Sequence, residues 1–215
     1  MAVIQGGTSG NLAEVDTTFQ SMRTSIRPMQ VLGWYSVGAR SGALTGAGAD
    51  TAVFSLRNIS SNFLIIRRIG IGFVCTTGFT AAQALTWGLK FARSFTVADS
   101  GGTAIAITGS QNKHRTSLAT PSSLDCRISS TGALTAGTKT LDTVDLATMG
   151  TYAAATTAGN LLPPQPNNLL QQDAGDYPIV LAQNEGLNIM NIIAMGAAGV
   201  GTLHVNLEFA EATSY

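Results

Sequence analysis

Leu203-His204-Val205-Asn206-Leu207-Glu208-Phe209 decides how this chain is read. Every second residue is apolar and those between are polar. A strand has this period of two when one face packs on a core and the other faces outward. The same period recurs upstream, where Leu85, Trp87, Leu89 and Phe91 alternate with Thr86, Gly88, Lys90 and Ala92. A third stretch, Phe63 to Cys75, is almost continuously apolar around Arg67-Arg68. It reads as a buried strand that bends near Gly70 and Gly72, where glycine permits a bulge or a close approach.

Shorter strand candidates are Val31–Val37, Ala52–Leu56, Thr103–Thr108, Asp125–Ser129, Pro178–Ala182 and Leu187–Ala194, set apart by clusters of Gly, Pro, Asn and Asp. No convincing helix follows residue 27. A parallel α/β fold needs helices of about 10–15 residues between strands, so the spacing suits a sandwich, jelly roll or barrel. Gly196-Ala197-Ala198-Gly199-Val200-Gly201 lies between two strand patterns and reads as a hairpin turn; it has neither the order of a dinucleotide loop nor a following helix.

Two segments depart from this pattern. Residues 1–28 read as an N-terminal arm, rich in Gly, Thr and Ser at its start. Asn11 is placed to cap a short helix there, with Leu12, Val15, Phe19 and Met22 at helical spacing, closed by Arg27-Pro28. Such a segment docks on a partner or folds back on its own domain. Residues 147–176 carry an Ala/Thr stretch, then Leu161-Leu162-Pro163-Pro164-Gln165-Pro166 and several Asn and Gln. They read as a long, semi-extended loop, a length usually tied to function or disorder. The remainder, residues 29–215, reads as a single β domain.

Composition sets the functional bounds. Charged residues are 11% of the chain, against about 25% in a typical soluble domain. Twelve basic and twelve acidic residues cancel, and lysine occurs only at positions 90, 113 and 139. A dispersed monomer normally keeps a charged surface, so a surface this poor in ions suits a protein largely covered by neighbours. A small neutral secreted domain is the plainer alternative. A nucleic-acid binder shows a basic patch; here the basic residues are scattered, and no nucleic-acid partner is expected. No run approaches the roughly 18 apolar residues of a membrane span, and no membrane partner is expected. The opening MAVIQGGTSG has no charged n-region and no apolar h-region, so synthesis in a cytoplasm is expected. Cys75 and Cys126 make no disulfide framework; one bridge would be allowed, but two buried free thiols are the favoured reading.

The motifs of catalysis are weak. Asp99-Ser100-Gly101-Gly102 resembles the surroundings of the nucleophile in trypsin-like serine proteases, but those enzymes place the base histidine before the serine. Here His114 and His204 both follow it, and a turn explains the same residues. Zinc chemistry needs clustered ligands, whereas both histidines and both cysteines are isolated. His204 falls on the polar face of its strand. Carboxylate pairs such as Asp142 with Asp145, or Glu208 with Glu211, occur by chance in any chain with this many acids, and glycoside hydrolysis needs two held in one cleft. Trp34-Tyr35 would make a sugar platform, but a core or interface role is favoured. Asn58-Ile59-Ser60 is a formal glycosylation sequon, without meaning unless the chain is secreted. No enzyme activity, cofactor or metal is therefore expected.

Several segments resemble a family of tailed-bacteriophage virion proteins of the decoration, or cement, type. They are Gly10-Asn11-Leu12-Ala13-Glu14-Val15-Asp16, Gly78-Phe79-Thr80-Ala81-Ala82-Gln83, and Ala92-Arg93-Ser94-Phe95-Thr96 leading into Asp99-Ser100-Gly101-Gly102-Thr103. Further on come Leu134-Thr135-Ala136-Gly137-Thr138-Lys139-Thr140-Leu141-Asp142, then Leu181-Ala182-Gln183-Asn184-Glu185-Gly186, Ala194-Met195-Gly196-Ala197 and the closing Leu207-Glu208-Phe209-Ala210-Glu211. The resemblance spans most of the chain. It implies an all-β fold, a jelly-roll-like antiparallel β sandwich with an extended N-terminal arm, and a place on the virion as a dimer or trimer bound to the major capsid protein. A tail, baseplate or fibre-base component is the runner-up, and a carbohydrate-binding jelly roll the third reading. Expected contact residues are Leu12, Val15, Phe19 and Met22 of the arm, Trp34 and Tyr35, and Leu161 and Leu162 of the long loop.

Overall fold

The computed structural model describes residues 5–6, 11–12, 15–16, 21–22, 31–107, 112–114, 121, 124–155, 167–172 and 178–213. All regular structure among them is strand: β1 (Gln5–Gly6), β2 (Asn11–Leu12), β3 (Val15–Asp16), β4 (Ser21–Met22), β5 (Val31–Arg40), β6 (Thr51–Asn58), β7 (Phe63–Thr77), β8 (Gln83–Arg93), β9 (Thr103–Ala104), β10 (Leu124–Ile128), β11 (Thr140–Leu141), β12 (Ala147–Ala153), β13 (Asn167–Gln171), β14 (Ile179–Leu181), β15 (Gly186–Asn191) and β16 (Val200–Ala212).

Two antiparallel sheets form a sandwich. One runs β13-β7-β16-β5, with β14 also on β7; the other runs β11-β8-β15-β6-β10-β9, with β12 also on β8. The pairing is nested. β5 pairs with β16, β6 with β15, β7 with β13 and β14, and β8 with β12. The first long strand thus meets the last, the second the next to last, as in a long hairpin rolled over on itself. Successive turns of the roll alternate between sheets, which is the jelly-roll arrangement. β9 and β10 come from the excursion between β8 and β11 and extend the second sheet beyond β6.

The alternation read from the sequence becomes the core. Leu203, Val205, Leu207 and Phe209 all point inward and are buried, as are Leu85, Trp87 and Leu89 from the facing sheet. Tyr35 stacks on its register neighbour Phe209 at 5.2 Å, and Phe73 meets Trp87 across the sandwich at 5.4 Å. Aromatic pairs at such separations add to the area term. Cys75 and Cys126 are both buried thiols.

β7 is one unbroken strand; the β13 bulge lies opposite Gly70 and Ile69, but against β16 the irregularity is not at Gly70 or Gly72. Against β16, Glu208 pairs with Arg68 and Phe209 with Ile66, so Arg67 is the extra residue; a second shift lies at Thr76. The reason is parity. Ile66 and Ile69 both face the core but are three apart, and only a residue inserted between them keeps both on one side. The bulge leaves Arg67 exposed without interrupting the buried face.

Other expectations are corrected. The helix expected from Asn11 does not form at the described positions: Leu12, Val15 and Met22 lie in two-residue strands, with Gln5 opposite Leu12 and Val15 opposite Met22. A helix of so few residues pays a nucleation cost that spacing alone does not repay, and Thr17-Thr18 disfavours it further. Phe19 lies outside the described residues, as do Leu161 and Leu162. Residues 147–176 are not one loop, since β12 and β13 occupy its ends. The strand expected over 103–108 is only Thr103–Ala104. Gly196–Gly201 is no hairpin turn, because β15 and β16 belong to different sheets. The connection crosses the sandwich, and Gly199 sits so close to the Phe79 ring that a Cβ would lie 2.1 Å from it.

Candidate assembly surface

A sandwich has exposed sheet edges, and unpaired edge backbone is a template for another chain. Proteins blunt such edges with short strands, bulges or covering segments. Three edges here carry such a device. β9 is only two residues long. The β13/β14 edge is split between two short strands, and β13 has a bulge at Leu169. The middle of β5 is covered by residues 112–114: the Ser36 amide donates to the Asn112 carbonyl at 2.9 Å, the His114 amide to Trp34 O at 3.0 Å, and the Asn112 side-chain amide to Ser36 O at 2.9 Å.

The fourth edge is β12. It pairs with β8 in unbroken register over seven residues, and among the described residues no strand pairs with its other side. Its sequence, Ala147-Thr148-Met149-Gly150-Thr151-Tyr152-Ala153, holds no charge and no proline. Ala147 and Met149 pack on the core, while Thr148, Gly150 and Tyr152 are exposed. Exposed apolar side chains lie on β12 and just before it: Tyr152 is 55% exposed, Val144 77% and Leu146 41%. Between β11 and β12 the chain bulges out. Asp142 N bonds to Phe91 O at 3.0 Å and Leu146 N to Leu89 O at 2.7 Å, so residues 143–145 stand off the sheet. Asp145 lies over Gly88, where a Cβ would meet its Oδ1 at 2.5 Å, and its charge faces Lys90 Nζ at 3.9 Å.

The expected contact residues fare unequally. Tyr35 is a correction: it is fully buried within its own chain, because it falls on the inward parity of β5. Trp34 is on the outer face, half-buried beside Ile65, Ala210 and Ala212, with the Arg67 guanidinium 5.8 Å from its ring centre. The two therefore point to opposite faces and make no paired aromatic platform. Leu12, Val15 and Met22 lie in the short paired strands of the arm. The β12 edge lies within residues 147–176, which the sequence offers as a contact region, although the residues singled out there are Leu161 and Leu162 rather than those of β12. Its only sequence signal is weak alternation of small residues within a stretch that reads as loop.

The chemical motifs resolve into structure. Ser100 exchanges two backbone hydrogen bonds with Thr135, and Gly102, at φ +60°, has no room for a side chain against Ile128 O, so Asp99–Gly102 is a turn. Ser36 Oγ contacts His114 Nε2, but no carboxylate is bonded to the other ring nitrogen among the described residues. Asn58 is fully buried, with its amide nitrogen donating to Asn62 O and Leu181 O, which leaves no room for a glycan. Among the described residues no group of three or more His, Cys, Asp or Glu is placed to hold a metal ion.

One buried polar cluster stands out. The Asp99 side chain is 0% exposed and that of Lys139 4%, and they form a direct ion pair. Gly137 N donates to Asp99 Oδ1 at 2.7 Å, and Asn188 Nδ2 to Oδ2 at 3.0 Å. Burial by itself raises the carboxyl pKa, but the Gly137 amide, the Lys139 ammonium and the Asn188 amide together outweigh it and hold Asp99 below its usual value. The Lys139 ammonium also lies 4.6 Å from the centre of the Phe95 ring.

No family model, no curated protein and no solved structure matches this chain.

Proposed function

We propose that this chain is a structural protein of a tailed-phage virion, a capsid decoration protein that stabilises the shell by bridging capsomers. The observation that carries the reading is the β12 edge, unpaired on one side among the described residues: seven uncharged strand residues with exposed Tyr152 among them and exposed Val144 and Leu146 just before them, in a chain of which only 11% is charged. An unblunted apolar edge is a liability in a free monomer and an asset in an assembly, where backbone pairing gives affinity and alternate side chains give register. Apolar burial at about 25 cal/mol per Å² supplies the rest. Each copy needs only weak contacts, because a copy spanning two capsomers gains from multivalency. The rolled sandwich supports the reading only by analogy, since jelly rolls serve in capsids and in lectins alike. The sugar-binding alternative loses its best platform with Tyr35 in the core.

The test is co-sedimentation with undecorated shells of the phage that encodes the chain. Saturable binding at many copies per shell is expected. Protein that stays in the supernatant at every concentration would refute the reading, and a handful of copies confined to one vertex or the tail would move it to the tail.

A further inference from the structure

Asp99, Lys139 and Asn188 belong to three separate stretches of chain, yet they form one closed, nearly dry cluster. Each is placed for a distinct chemical role. Lys139 reaches Asp99 Oδ1, and Asn188 Nδ2 reaches Asp99 Oδ2 at 3.0 Å, so one carboxylate touches both an amine and a carboxamide nitrogen. Among the described residues the buried Asn188 carbonyl oxygen has no hydrogen-bond partner, an unusual and costly state for a polar atom in a sheet interior. Among the described residues Lys139 donates to Asp99 alone, and the ring of Phe95 takes up part of its remaining surroundings. An ammonium has three protons to place.

We propose that Lys139 and Asn188 form an intramolecular amide cross-link, with Asp99 as the proton relay. Asp99, an ionised carboxylate before reaction, takes a proton from the Lys139 ammonium. The free Nζ lone pair attacks Asn188 Cγ, and a Nζ–Cγ bond forms. The Cγ–Nδ2 bond then breaks as Asp99 returns the proton to Nδ2; the second Nζ proton passes through Asp99 to the departing ammonia, which leaves as ammonium. A lysine ammonium and an asparagine carboxamide become one secondary amide plus ammonium, with no oxidant, reductant or further reactant. Holding nucleophile and leaving group on one carboxylate replaces a bimolecular encounter by a fixed geometry, the source of high effective molarity. Exclusion of water protects the intermediate from hydrolysis. The bond would tie β15, at the centre of its sheet, to the end of the excursion that leaves β8 and returns at β11. Like a disulfide, it would remove freedom from the unfolded chain. This inference is independent of the assembly reading.

The experiment is mass spectrometry of the purified full chain, with tandem analysis of its proteolytic peptides. The expected result is a mass lower by one ammonia than the sequence requires, and a branched peptide joining the segments around Lys139 and Asn188. An unmodified mass, or loss of one water with Lys139 joined to Asp99 instead, would overturn the proposal. Lys139→Met keeps the bulk and removes the amine. Its peptides should all be linear and unmodified, and an ammonia loss at Asn188 that survived in K139M would overturn it too, by pointing to a cyclic imide. The wild-type measurement decides the matter whether or not the variant folds.

Discussion

β5 and β12 are both outermost strands of a sheet, and their surroundings differ completely. β5 is ten residues long, and its middle is closed by the Asn112–His114 segment through three hydrogen bonds. β12 is shorter, uncharged and open on one side among the described residues. The inward residues differ as well. β5 contributes Tyr35, fully buried on Phe209, whereas β12 contributes the small Ala147 and the half-buried Met149. One edge is part of what holds the domain together; the other presents backbone and apolar side chains outward. The strand that looked like an interface in the sequence is a core element, and the interface candidate lies where the sequence read as loop.

The sharpest way to break this contrast is to truncate one tyrosine on each edge. Tyr35→Ala should cost about 3–5 kcal/mol of folding stability in urea titrations, the range for large aromatic truncations in a core. A loss under about 1 kcal/mol would mean that the β5 edge is not load-carrying. Asn112→Ala should cost about 1 kcal/mol, since the covering segment loses a side-chain bond to Ser36 O. Tyr152→Ala, on a residue more than half exposed, should stay within about 0.5 kcal/mol yet weaken shell binding. Thr148→Lys should likewise leave stability almost unchanged while blocking binding, because edge lysines are a natural guard against strand addition. Binding by T148K at the wild-type level would remove β12 from the account. The smallest effect concerns reactivity. Burial first, and Asp125 second, push the Cys126 thiol far above its ordinary pKa, so it should stay neutral and ignore thiol reagents at pH 8 until the chain is unfolded.

Much of the sandwich is legible in the sequence because its central strands are strongly patterned. β16 and β8 alternate cleanly, and the parity of Leu203–Phe209 alone assigns inside and outside. The bulge at Arg67 is legible only in retrospect: Ile66 and Ile69 cannot share a face without it, but glycine drew attention to the wrong positions. β12 and β13 escape notice because most of the side chains of β12 are small and amides flank the two leucines of β13, so pairing with neighbouring strands does much to make them strands. The nested pairing is invisible to local pattern, since it joins the first long strand to the last. The Asp99–Lys139–Asn188 cluster is hidden for the same reason, and its one advance signal was the scarcity of lysine. A lysine that is rare in the chain and buried in the fold has a role other than solubility.

Hydrogen–deuterium exchange over residues 147–153, with and without undecorated shells, tests the central claim most directly. The account predicts faster exchange along β12 than along β15 in the free protein, and strong added protection of β12 in the shell-bound state. Binding that leaves β12 exchange unchanged would contradict it.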